Sequence, residues 1–158
     1  MNQRKIIEFL ATGFFSGYAR FASGTAGTLV ALVLYAFLFR AFPLLSHPGI
    51  AILAALALTG FSIFIANQAL ELGLFELGED PGEIVIDEFA GAFVALIGTS
   101  GDLRAFITAF ILFRFFDILK PPPIKRLEKL PRGTGIVLDD VGAGVYASII
   151  AIILEWVF

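Results

Sequence analysis

Three segments of this chain place acids and cations inside stretches that are otherwise apolar. Asp87 and Glu88 interrupt Ile84 to Thr99, Arg114 and Asp117 interrupt Leu103 to Leu119, and Asp139 and Asp140 precede Val141 to Phe158. A carboxylate in apolar surroundings is costly unless it is paired or holds a metal ion. Neighbours on a helix point about 100° apart, so Asp87 and Glu88 should serve different partners. Arg114 and Asp117 are three residues apart and share a helix face, and Lys120 extends that band to the segment end. The simplest reading of the band is an intrahelical ion pair. The sharper one is an acid ligand flanked by two phosphate-binding cations, kept dry by Phe113, Phe115 and Phe116.

Capping accounts for some of these acids. Asp80, Pro81 and Glu83 read as the N-cap, first residue and capping-box partner of a helix. Asp87 and Glu88 then fall beyond its first turn. One of Asp139 and Asp140 should cap the final helix, and capping does not need both. Paired acids at a helix entrance suit Mg²⁺, which takes carboxylate and water oxygens. Ser23-Gly24-Thr25-Ala26-Gly27-Thr28 adds a weaker signal. Its hydroxyls and backbone N–H groups, Thr25 and Thr28 included, could cradle a phosphate. Close helix packing through small residues explains the same segment. His47, the single histidine, reads as a solvated loop residue that leaves no histidine nucleophile, and Glu155 reads as a surface residue.

The elements that position these groups are membrane helices. The chain has 158 residues, 58% hydrophobic and 16% charged, with mean hydropathy +0.90. So little charge cannot cover a soluble surface, which typically carries about a quarter charged residues. There is no cysteine, which excludes disulfides and thiolate chemistry. Long apolar runs without strand alternation predict an all-α membrane bundle of about five hydrophobic helices. Their segments are Phe21 to Phe39, Pro48 to Ala66, Ile84 to Thr99, Leu103 to Leu119 and Val141 to Phe158. Asn2 to Thr12 should form a short amphipathic helix on the membrane surface, not a cleaved signal. Residues 1–158 read as one domain.

Lysine and arginine set the orientation. Arg4, Lys5, Arg20, Lys120, Lys125, Arg126, Lys129 and Arg132 fall on one side, and Arg40 and Arg104 on the other. The positive-rich side should be cytoplasmic, and it carries the acid and cation band.

Four segments carry a resemblance. They are Gly24 to Thr28, Ile86 to Gly91, Phe113 to Ile124 and Gly133 to Gly144, and together they resemble the phosphatidylglycerophosphatase A family. The resemblance implies a Mg²⁺-dependent enzyme of the bacterial inner membrane that hydrolyses phosphatidylglycerophosphate to phosphatidylglycerol and phosphate. It also implies a bundle in which one helix is surrounded by others. Asp87, Glu88, Arg114, Asp117, Lys120, Asp139 and Asp140 take the family's charged positions, with Asp80 beside them. Arg132 stands where similar chains have a small residue and is given no role. On this reading Asp87, Asp117 and Asp139 or Asp140 hold Mg²⁺, and Glu88 is a general base. Arg114 and Lys120 hold the phosphoryl oxygens, with Thr25, Thr28 and Asp80 at the substrate. Membrane lipids are the partners, and nucleic acid is not.

Two other readings fit less well. A phosphatidyltransferase would need a different aspartate spacing. A transporter would need polar groups through the full membrane depth, and here they gather at one end.

Overall fold

The computed structural model describes residues 2–75 and 81–157, so the expected role of Asp80 lies outside the described residues. Among these residues the chain is all-helical. In order come α1 (Gln3–Ala11), α2 (Ser23–Ala41), α3 (Pro48–Glu71), α4 (Ile86–Ala95), α5 (Leu103–Leu119), α6 (Ile124–Leu127) and α7 (Gly133–Val157). Three of them, α2, α3 and α7, are long and apolar enough to cross a membrane. Their lipid-facing residues, such as Val33, Phe37, Leu53, Leu56 and Ile149, are exposed and apolar. The chain alternates between two ends, so the starts of α2, α4 and α7 and the ends of α3 and α5 share one end.

α4 is the centre of the bundle. Every residue from Ile86 to Ala95 is buried, and α2, α3, α5 and α7 surround it. A helix buried all round needs no polar face, and ten residues rise only about 15 Å. α4 therefore need not cross the membrane. Its closest partner is α7, and glycine sets the approach. A Cβ on Gly144 would strike the Gly91 carbonyl oxygen, and a Cβ on Gly91 would lie 2.7 Å from the Asp140 oxygen. Backbones this close, lined by Ala143, Ala147 and Ala151, pack as small-residue seams do in membranes. Two hydroxyls tie α4 to its other neighbours. Tyr35 donates to the Phe89 carbonyl at 2.6 Å and Ser62 to the Ile86 carbonyl at 3.2 Å.

Two helix starts differ from the sequence expectation. α4 begins at Ile86, not at Pro81, because Val85 is non-helical and donates its N–H to the Ala11 carbonyl at 2.9 Å. Glu83 is therefore no capping-box partner, and Asp87 and Glu88 stand in the first turn. The positive end of the helix dipole helps both carboxylates there. α7 begins at Gly133, well before Val141, so neither Asp139 nor Asp140 is its cap. The Gly133 N–H is satisfied from α3, by Asn67 Oδ1 at 3.1 Å. The glycines that look like a loop serve close packing. A Cβ on Gly135 would strike the Leu130 carbonyl, and one on Gly133 would lie 2.8 Å from Ala66.

The N-terminal amphipathic helix forms as expected. Ile7 and Ala11 turn inward on α1, and Arg4 reaches the Gly73 carbonyl at the end of α3. His47 is exposed in the turn between α2 and α3, at the end away from Lys120 and Glu128. Cysteines introduced at His47 and Glu128 of this cysteine-free chain should react with an impermeant label from opposite sides of the membrane. Labelling of both from one side would contradict this topology.

Candidate functional site

Three helices bring acids together at one end of the bundle. The first turn of α4 supplies Asp87 and Glu88, the last turn of α5 supplies Asp117, and the second turn of α7 supplies Asp139 and Asp140. Asp87, Glu88, Asp139 and Asp140 are 7%, 8%, 4% and 3% exposed, so water does little for their charge. Ligand oxygens from Asp87, Glu88 and Asp140 all lie within 4.8 Å of one another, a group that could hold a metal ion.

Two cations enter this cluster. Arg114 Nη1 is 2.8 Å from Asp117 Oδ2, across one helical turn, and 3.7 Å from Glu88 Oε1. The intrahelical pair expected of Arg114 thus forms within α5, and the same side chain also faces an acid of α4. Lys120 ends α5 in a left-handed conformation, at φ 44°. Its Nζ donates to Asp139 Oδ2 and Glu128 Oε1, each at 2.7 Å. Burial alone would lower the Lys120 pKa, but hydrogen bonds to Asp139 and Glu128 hold it above its ordinary value. Lys120 therefore stays cationic and engaged with Asp139.

Five carboxylates against two cations leave an excess of buried negative charge. Each buried ion costs several kcal/mol even after relaxation, against a total stability of about 5–15 kcal/mol for a domain. Glu88 Oε2 and Asp140 Oδ2 are buried with no hydrogen-bond partner among the described residues, and so is the donor Arg114 Nε. Carboxylates suit hard, oxygen-seeking cations. The donor set and its open oxygens therefore fit a divalent ion, and an open guanidinium N–H fits an anion beside it.

The α2 start completes the site. A Cβ on Gly24 would strike Glu88 Oε1 and lie 3.0 Å from Arg114 Nη1, so only glycine lets both side chains approach the α2 backbone this closely. Thr28 turns its hydroxyl back to the Gly24 carbonyl at 2.7 Å and is fully buried. Its side chain is thus used inside the helix, as close packing would have it. Thr25 is part-exposed on the same first turns.

Sequence reasoning placed these acids at one level, and the structure brings them together with a different division. Glu88, expected as a base, stands in the three-acid group. Asp139, expected as a ligand, is held by Lys120 and accepts the Asp140 N–H at 3.0 Å. Glu128 and Asn67 were missed. Glu128 is an acid between Arg126 and Lys129, and that isolated sign change was the one signal available for it. Arg132 pairs with Glu71 at 3.0 Å on the exposed rim, consistent with its having no role in the cluster.

A family model described as Phosphatidylglycerophosphatase A matches residues 9–155 of the chain. A Haemophilus influenzae protein named Phosphatidylglycerophosphatase A is 39% identical over 160 residues, covering 95% of this chain and 89% of its own. An Escherichia coli protein of the same name is 32% identical over 148 residues, covering 89% and 78%. A Bacteroides thetaiotaomicron protein, provisionally named phosphatidylinositol-3-phosphatase, is 35% identical over 151 residues, covering 94% and 92%. No solved structure matches the chain.

Gly24 offers a direct check on the packing of the cluster. Gly24→Ala should cost about 1–3 kcal/mol by overpacking Glu88 and Arg114. Gly60→Ala on α3, where a Cβ meets nothing within 4 Å, should be neutral or stabilising. Thermal unfolding in one detergent compares them, and equal shifts would contradict the close approach at Gly24.

Proposed function

The chain belongs to the phosphatidylglycerophosphatase A family, and we propose that it removes the terminal phosphate of phosphatidylglycerophosphate at the cytoplasmic membrane surface with the help of Mg²⁺. The observation that carries this reading is the meeting of an acid group that could hold a metal ion with an arginine whose Nε has no hydrogen-bond partner, at one end of a membrane bundle. Asp87, Glu88 and Asp140 would hold the ion. When bound, it would neutralise phosphate charge and polarise the reacting ester.

The chain's own residues do the rest. Arg114 offers a planar fork to two phosphoryl oxygens, and its Nε is free to take one of them. Asp117 fixes that fork from one turn away. Lys120 holds Asp139 beside Asp140 and adds positive charge at the rim, where a dianionic headgroup would arrive. Gly24 lets the α2 backbone pack directly against both Glu88 and Arg114, which helps to hold those two side chains in place. In hydrolysis one P–O bond forms to water while the P–O bond to the lipid breaks. Donors already aimed at the phosphoryl oxygens then stabilise the charge that builds. The cytoplasmic assignment is supported by lysine and arginine, which crowd the end that carries the cluster. On this assignment a cysteine at Glu128 is the one reached from the cytoplasm.

One comparison favours a second substrate. The Bacteroides relative's name points to a phosphoinositide, also a lipid phosphate monoester. Both substrates can be tested in one assay. Purified protein should release phosphate from phosphatidylglycerophosphate faster than from phosphatidylinositol 3-phosphate, and excess chelator should stop release until Mg²⁺ is restored. Arg114→Lys should cut kcat about a hundredfold while the protein still inserts and folds, the usual effect of losing one transition-state contact. Wild-type kinetics in Arg114→Lys would leave arginine as a structural partner of Asp117 alone. Full activity in chelator would refute the metal.

A further inference from the structure

Glu128 stands outside the acid group, on the connection between α5 and α7, yet it is joined to that group through Lys120. The Lys120 ammonium donates to Glu128 Oε1 and to Asp139 Oδ2, each at 2.7 Å. Asp139 in turn accepts the Asp140 N–H at 3.0 Å through its other oxygen. Glu128 is thus the outer end of a chain of hydrogen bonds that reaches Asp140, one of the three acids that could hold a metal ion.

The connection is fastened so that it delivers this carboxylate. Pro121, Pro122 and Pro123 turn the chain after Lys120, and Tyr146 of α7 donates to the Pro122 carbonyl at 3.1 Å. Ile124 is fully buried, and a Cβ on Gly142 of α7 would lie 3.3 Å from it. The Glu128 N–H closes on the Ile124 carbonyl at 3.2 Å. A Cβ on Gly135 would lie 2.7 Å from the Glu128 carbonyl oxygen, so the Glu128 backbone rests on α7 one turn before Asp139. One helix therefore places both carboxylates that hold Lys120.

An exposed ion pair adds little to stability. Glu128 is 46% exposed, much as Glu71 is at 47%, and Glu71 pairs with Arg132 at the same end of the bundle. The cations separate the two pairs. Among the described residues Arg132 meets Glu71 and no acid of the cluster, whereas Lys120 is also bound to Asp139, which is 5% exposed.

We propose that Glu128 is a positioning residue for phosphate release: it fixes the Lys120 ammonium against Asp139, so that the remaining N–H is set for a phosphoryl oxygen. This rests on the lipid-phosphatase reading and adds the group that places its rim cation. A lysine carries three rotatable donors on a flexible four-carbon stem. One acceptor leaves that stem free to swing, and a second acceptor on another segment holds it. A donor held before substrate arrives needs no rearrangement as charge builds.

Two measurements on the purified full chain test this. The first is the kinetics of phosphate release from phosphatidylglycerophosphate. Glu128→Ala should lower kcat about tenfold, less than the roughly hundredfold cost of a 1 Å misplacement, because Asp139 still holds the ammonium. Glu128→Gln keeps an acceptor at the same reach and should recover most of that loss. Glu71→Ala, which breaks the other exposed pair, should leave both constants unchanged. Wild-type kcat in Glu128→Ala would overturn the proposal. So would a fall in KM at unchanged kcat, because Glu128 would then compete with the phosphate for Lys120. Glu128→Gln no better than Glu128→Ala would also overturn it, since charge and not placement would be what Glu128 supplies. The second measurement needs no turnover. An amine-acylating reagent, read by peptide mass spectrometry, should modify Lys120 more slowly than the exposed Lys125 and Lys129. Glu128→Ala should speed Lys120 alone by about tenfold, the scale of one hydrogen bond to a charged group. An unchanged Lys120 rate in that variant would overturn the clamp. If wild-type protein released no phosphate while Glu128→Ala still freed Lys120, the phosphatase reading would fail and the clamp would stand.

Discussion

Buried negative charge is the constraint on which the rest of this molecule depends. Asp87, Glu88, Asp117, Asp139 and Asp140 converge from three helices into one apolar end, and Arg114 and Lys120 offset only part of their charge. In a low-dielectric setting a group of this size must either take up protons or gain a further cation. The two cations flank the cluster. Lys120 holds Asp139 at one side, Arg114 pairs with Asp117 and Glu88 at the other, and the oxygens of Asp87, Glu88 and Asp140 between them lie close enough together to hold a divalent ion.

The helices are shaped to hold that centre still. α4 is short and buried all round, so its first turn cannot drift without disturbing four neighbours. Gly91 and Gly144 let α7 approach until the Asp140 backbone lies against α4, which sets the acids of the two helices side by side. Tyr35 and Ser62 fasten the carbonyls of α4 from α2 and α3. Asn67 fixes the start of α7. Polar atoms in this bundle are spent on positioning, and the lipid face stays apolar.

Much of this was legible in the sequence. Uninterrupted apolar runs gave the membrane bundle, and α5 has the predicted bounds because Asp102 and the prolines after Lys120 mark its ends plainly. The acids stood out because no helix cap or surface explained all of them. The starts of α4 and α7 were misread for tertiary reasons. A carbonyl from α1 takes the Val85 N–H out of the helix, and an asparagine from α3 does the capping that Asp139 or Asp140 seemed to offer. Gly133 and Gly135 looked like a turn, yet their purpose is contact with Ala66 and Leu130. Pairing was equally illegible, since Glu128 meets Lys120 only because the chain folds back after its prolines.

The central claim is that the cluster is completed by a divalent cation held by Asp87, Glu88 and Asp140. Metal binding to the purified protein, without substrate, tests it most directly, through Mn²⁺ titration followed by electron paramagnetic resonance with Mg²⁺ as competitor. The account predicts saturable binding that Mg²⁺ displaces and that the double variant Glu88→Gln with Asp140→Asn removes while the protein remains helical. Undiminished Mn²⁺ binding in that variant, or none in the wild type, would contradict it.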